Sequence, residues 1–267
     1  MEILITFLGL IIPFIGTTLG SSFIYIFKNK GMSINLGKIF NGFAAGVMLA
    51  ASFFGLMLPA LEYQIDYMPT ILVVIIAFLI GVILIFCIDH FVPHFHSQEN
   101  YEEGIKTQRV TKDQKMFLAV LIHNVPEGLS VGVTFGVALA NLTSGSDLFA
   151  VMGSALMLSI GVAIQNIPEG AIVSLPFKET NTTNKAFLYG VFSGIIEPIV
   201  AVFGVLLAYY IQPLMPWALA LAAGCMIYVT IEDLVPTAVS GEGKNHYGII
   251  AFIIGFLIMM SLDYLLG

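Results

Sequence analysis

Residues 123 to 128 of this chain read HNVPEG, residues 165 to 170 read QNIPEG, and a third glutamate, Glu197, precedes a proline in GIIEPIV. Together His123, Asn124, Glu127, Gln165, Asn166, Glu169 and Glu197 offer one imidazole, three amides and three carboxylates. His123 and Glu127 are four residues apart, as are Gln165 and Glu169, so on a helix each pair shares one face. Pro126, Pro168 and Pro198 each remove a backbone donor, which predicts broken helices with exposed carbonyl oxygens beside the polar side chains. A donor set of imidazole, amide and carboxylate is suited to a divalent cation. The competing readings are protonated carboxylates that hydrogen-bond helices together, and a path for protons.

The elements that must position these groups are apolar. The chain has 267 residues, 58% of them hydrophobic and 10% charged, with a mean hydropathy of +0.96. A soluble domain carries about 25% charged residues, so this is an all-α integral membrane protein. Runs of roughly 20 apolar residues, enough to cross a hydrocarbon core of about 30 Å, fall at 3–27, 36–61, 70–93, 115–140, 148–176, 186–211, 214–236 and 247–266. They predict eight transmembrane helices in one domain covering residues 1–267, with no cleaved leader. The connection 94–114 is the longest, and its mixture of charges predicts local disorder.

All ten basic residues, from Lys28 to Lys244, are assigned to odd-numbered connections. Lys and Arg are retained on the cytoplasmic side, so the protein is expected in the cell membrane with both termini extracellular or periplasmic. Measured at 1.5 Å per residue, Glu127 lies roughly 18 Å from Lys115, Glu169 roughly 14 Å from Lys178 and Glu197 roughly 18 Å from Lys185. The three carboxylates therefore meet near the bilayer midplane. An ionised group there costs about 3 kcal/mol or more, and the spans offer no basic partner, so the missing cation is read as the substrate.

At these residues the chain resembles the ZIP (Zrt/Irt-like protein) family of divalent metal transporters, in particular its bacterial GufA-like branch. The resemblance rests on HNVPEG, QNIPEG and the glutamate of GIIEPIV. It implies a 3+2+3 arrangement in which the first and last three helices form an inverted repeat, and a bundle carrying the metal-binding helices slides against the rest. It also implies a binuclear centre: one position from His123, Asn124, Glu127, Asn166 and Glu169, the other from Glu127, Gln165, Glu169 and Glu197. Many family members carry Asp where Asn166 stands and His where Gln165 stands. Two divalent cations then bring four charges against three from the glutamates, and the donor set shifts toward oxygen. Zinc is the expected substrate, with Cd²⁺, Fe²⁺ and Mn²⁺ as alternatives. Near the cytoplasmic end, Asp89, His94, His96 and Glu232 match positions that the family uses at its inner exit.

An intramembrane metal-dependent hydrolase and a non-transporting metal receptor are the competing functions. The hydrolase is disfavoured because no HExxH occurs and three anionic ligands weaken Lewis acidity. No phosphate-binding loop is present, so ATP hydrolysis within this chain drives nothing. Cys87 and Cys225 lie in apolar runs and read as small hydrophobes. Expected partners are divalent metal ions and the lipid bilayer, with a homodimer admissible, no nucleic acid and no catalytic cofactor.

Overall fold

The computed structural model describes residues 1–26, 33–92, 94–96, 101–103, 112–142, 147–240 and 245–266. Among them are eight long helices: α1 (Glu2–Tyr25), α2 (Ile34–Glu62), α3 (Thr70–Phe91), α4 (Lys112–Asn141), α5 (Leu148–Thr180), α6 (Thr183–Tyr210), α7 (Gln212–Val239) and α8 (Tyr247–Leu266). Their apolar surfaces point outward as well as inward. Ile75, Leu79 and Phe86 of α3 and Ile253 and Leu257 of α8 are exposed, whereas Asn124, Glu127, Gln165 and Glu197 are buried. That distribution suits a lipid solvent, since apolar exposure of this extent is unfavourable in water.

Seven of the eight helices are long and apolar enough to cross a bilayer. Helix α4 also has the length, at 30 residues. Packing register shows that it crosses too. A Cβ on Gly128 would meet the backbone of Glu197, one on Gly132 that of Ala201, and one on Gly136 that of Val205. The register advances in step along both chains, so α4 and α6 run parallel. Helices α1 and α5 do the same, with Gly16 against Ala163 and Gly20 against Ile167, and so do α2 and α8, with Gly42 against Gly248 and Gly46 against Phe252. Helix α3 packs along α7, completing four pairs. Each pair joins two odd or two even helices, as a chain that reverses at every connection requires, and α4 must cross for that alternation to hold.

The glycine contacts also sort the helices into two groups. Glycines that meet a neighbour's backbone do so within α1, α4, α5 and α6 or within α2, α3, α7 and α8. Gly55 and Gly161, which face the opposite group, meet only side chains, those of Leu158 and Met259. Backbone against backbone gives rigid pairing; side chains at the seam can repack. Exchanging α1 with α6, α2 with α7, α3 with α8 and α4 with α5 maps the four pairs onto themselves. Helices α2 and α7 carry matching π-helical turns, Ala51–Met57 before Pro59 and Thr230–Leu234 before Pro236. This is the two-fold pattern of an inverted repeat.

Two expectations need correction. Strand β1 (His94–His96) pairs antiparallel with β2 (Tyr101–Glu103), and α4 begins at Lys112, so these parts of 94–114 are ordered by backbone pairing and not a disordered loop. Lys38, Lys112, Lys115, Lys178 and Lys185 lie inside helix ends and not in connections, because the helices outlast their apolar runs. Lys28, Lys30, Lys106, Arg109 and Lys244 fall outside the described residues.

Candidate metal centre

The register of the parallel pairs brings the polar residues together. Gly128 beside Glu197 sets HNVPEG of α4 level with the third glutamate on α6, and Gly170 beside Thr17 sets QNIPEG of α5 level with the middle of α1. Pro126 and Pro168 do not break their helices: α4 and α5 are continuous through both. A proline deletes one rung of the ladder and clashes with one carbonyl, and close packing on both sides holds the remaining rungs. Helix α6 is the one interrupted, at Ile195, two residues before Glu197.

Glu197 accepts from three neutral donors. Thr17 Oγ1 donates to Oε1 at 2.8 Å, Asn124 Nδ2 to Oε1 at 3.3 Å, and Asn166 Nδ2 to Oε2 at 2.9 Å. Asn124 Nδ2 also donates to the carbonyl of Ser193 at 2.9 Å. Gln165 Nε2 donates to Glu127 Oε1 at 2.6 Å. Every amide thus turns its nitrogen toward a carboxylate or a carbonyl, and its oxygen is left over. Asn124 Oδ1, Gln165 Oε1, Asn166 Oδ1 and Glu127 Oε2 are buried and receive no hydrogen bond. One buried polar atom without a partner costs about 1–3 kcal/mol, and the four collected here are all acceptors. Glu169, also buried, interacts electrostatically with Glu127, Glu197 and His123. The complement of such a set is a cation.

The imidazole points elsewhere. His123 Nε2 lies 2.9 Å from Asp233 Oδ2, on α7 of the opposite group. Among the described residues, no three His, Cys, Asp or Glu side chains stand together as a ready ligand cluster. Asn124 and Asn166 gather around Glu197, while Gln165 holds Glu127. Toward the inner end, Glu232 interacts with Asp89, and Asp89 with His123. His94 and His96 sit on β1, which lies against α4; their side chains fall outside the described residues.

Two participants escaped the sequence reading. Thr17 lies in FIGTTLGSS, a run of small residues whose only signal was its two threonines, and Asp233 stands next to Glu232 in IEDLVP. The π-helical turn at Thr230–Leu234 shifts the helix phase, so a 3.6-residue count cannot decide which of the two acids faces α4.

A family model described as ZIP Zinc transporter matches residues 103–263. The chain belongs to the ZIP family. It is similar to zinc transporter ZIP11 of Bos taurus, 32% identical over 94% of this chain and 94% of that protein. Zinc transporter ZIPB of Bordetella bronchiseptica is 33% identical over 85% of this chain and 70% of its own length. Zinc transporter GufA of Myxococcus xanthus is 30% identical over 66% of this chain and 64% of its own. In this ZIP protein the matched region begins at β2 and contains HNVPEG, QNIPEG and Glu197, so the family resemblance and the convergence of polar atoms fall on the same helices.

Proposed function

We propose that this ZIP protein carries divalent transition-metal ions, zinc foremost, across the cell membrane toward the cytoplasm, and that it is a transporter and not an enzyme. The observation that carries the reading is the set of four buried acceptor oxygens without donors, Asn124 Oδ1, Gln165 Oε1, Asn166 Oδ1 and Glu127 Oε2, packed among three carboxylates. Divalent cations offer these oxygens the positive partners they lack, whereas a single proton satisfies one of them. The relatives named as zinc transporters support zinc over Mn²⁺, Fe²⁺ and Cd²⁺.

The hydrogen bonds suggest how a binuclear centre divides. Both asparagines turn their nitrogens to Glu197 and their oxygens away from it, which supports one position made of His123, Asn124, Glu127, Asn166 and Glu169, once His123 turns from Asp233, and another made of Glu127, Gln165, Glu169 and Glu197. Asp89, Glu232, His94 and His96 form the receiving site on the inner side, and both termini face outward. All these residues lie in one chain, so a homodimer adds no ligand. Zinc uptake into vesicles containing the purified protein, with Mn²⁺, Fe²⁺ and Cd²⁺ as competitors, tests the proposal; uptake no faster than in protein-free vesicles overturns it.

A further inference from the structure

Helix α1 contributes no residue to the ligand set, yet its Pro13–Thr17 turn touches the centre at two points. Thr17, 2% exposed, donates to Glu197 Oε1 at 2.8 Å and accepts from Asn166 Nδ2 at 3.1 Å. Asn166 Nδ2 also reaches the Pro13 carbonyl at 3.4 Å and Glu197 Oε2 at 2.9 Å. An amide nitrogen carries two protons, and every acceptor offered to it lies on this one side. The oxygen of the same amide is therefore turned to the other side, where it is buried and without a donor.

We propose that Thr17 is a positioning residue that fixes which end of the Asn166 amide faces the metal, and so sets how well the centre holds oxygen-preferring ions. The inference rests on the reading of the midplane centre given above. A hydroxyl has one proton and can both give and accept. The one proton of Thr17 has two acceptors in reach, Glu197 Oε1 at 2.8 Å and the Pro13 carbonyl at 3.4 Å; donated to either, it leaves Thr17 to meet Asn166 as an acceptor, and a flipped amide would set its oxygen against both the carboxylate and the hydroxyl lone pairs.

The rotamer of Thr17 is itself enforced. A Cβ added at Gly194 of α6 would stand 3.0 Å from Thr17 Cβ and Cγ2, and one added at Gly170 of α5 would stand 2.2 Å from the Thr17 carbonyl. Two glycines therefore let α5 and α6 close on this residue, and the wall at Gly194 holds the methyl so that the hydroxyl faces the amide. Pro13 adds rigidity below. Its missing N–H leaves the Gly9 carbonyl without its helical partner, and Ser159 of α5 donates to that oxygen at 2.5 Å.

Thr17→Val keeps the shape and removes the hydroxyl, while Thr17→Ser keeps the hydroxyl. A lost hydrogen bond to a charged group corresponds to about a tenfold change or more. Thr17→Val should raise the half-saturating concentration of Mn²⁺, which depends on oxygen donors, by about tenfold. The rise for zinc should be smaller, because zinc also takes nitrogen and lower coordination. The Mn²⁺-to-zinc ratio moves, and Thr17→Ser restores it. Should Thr17→Val fail to reach the membrane, Gly194→Ala, which keeps the hydroxyl but pushes Thr17 Cβ and its methyl aside and so moves the hydroxyl from the amide, is expected to shift the ratio the same way. A variant that inserts normally with an unchanged ratio, or an equal loss for both metals, overturns the proposal while leaving the centre intact. If Glu127→Ala also transports normally, the centre itself is misassigned.

Discussion

His123 Nε2 and Asp233 Oδ2 stand 2.9 Å apart across the seam between the two helix groups. The imidazole of HNVPEG therefore belongs to both groups: its backbone is on α4, and its partner is on α7. A metal that uses His123 must first win it from Asp233. In Asp233→Asn the competing charge is gone and the shape is kept, so zinc should bind the purified protein roughly tenfold tighter. Release inward should be no faster, leaving the maximal uptake rate unchanged or lower. Calorimetry and vesicle uptake read the two quantities, and weaker zinc binding in Asp233→Asn would show that the pair supports the site instead of competing with it.

Glu127, Glu169 and Glu197 are three buried acids that interact with one another electrostatically. Without metal their mutual repulsion opposes folding. Glu127→Gln should therefore stabilise the metal-free protein, by about 1 kcal/mol or more, and abolish zinc uptake. Thermal melting in detergent with chelator present, beside uptake at equal membrane content, separates these effects. Wild-type uptake would remove Glu127 from the transport path.

A Cβ on Gly132 would come within 2.1 Å of the Ala201 carbonyl, whereas one on Gly55 meets only the end of Leu158 at 3.2 Å. Backbone cannot step aside as a side chain can. Gly132→Ala should cost about 1–3 kcal/mol or reduce membrane insertion, and Gly55→Ala less than about 1 kcal/mol. Equal melting temperatures for the two would mean that α4 and α6 are not locked by this contact.

The fold class was legible because a hydrocarbon solvent demands long apolar runs, and the seven apolar helices follow from composition. That Asn124, Gln165, Asn166 and the three glutamates are buried together was legible because such groups inside apolar runs cost too much to face lipid. Less was visible where two helices must meet. Pro126 and Pro168 looked like breaks, yet the ladder continues through them, while the irregular turns at Ala51–Met57 and Thr230–Leu234 carry no composition signal. Thr17 is an ordinary helix threonine until Gly170 and Gly194 place it against Glu197 and Asn166. Its role exists only in the packing.

The orientation argued from the lysines is open to labelling. Asp66, between α2 and α3, and His246, before α8, are both exposed. A cysteine at Asp66 should react with a membrane-impermeant reagent on intact cells, and one at His246 only after permeabilisation. The reverse pattern would exchange entrance and exit.

If the centre holds two divalent cations, as proposed, Asn166 leaves it one charge short, and its amide explains how the metal-free site tolerates Glu197. Asn166 Nδ2 donates to Glu197 Oε2 at 2.9 Å. In Asn166→Asp that donor becomes a second carboxylate at hydrogen-bonding distance from the first, and like charges so placed in a buried site destabilise it. The metal-free variant should therefore melt at a lower temperature than the wild type. Once zinc is added the order should reverse, because an ionised carboxylate attracts the cation and offers more lone pairs than an amide oxygen, and ligand binding stabilises in proportion to its affinity. Half-saturating zinc should fall and calorimetric stoichiometry should move toward two metals per chain. The maximal rate should stay level or drop, since a deeper well slows departure of the ion. If metal-free stability, affinity and stoichiometry all match the wild type, position 166 does not face the metal, and the charge balance has no bearing on transport.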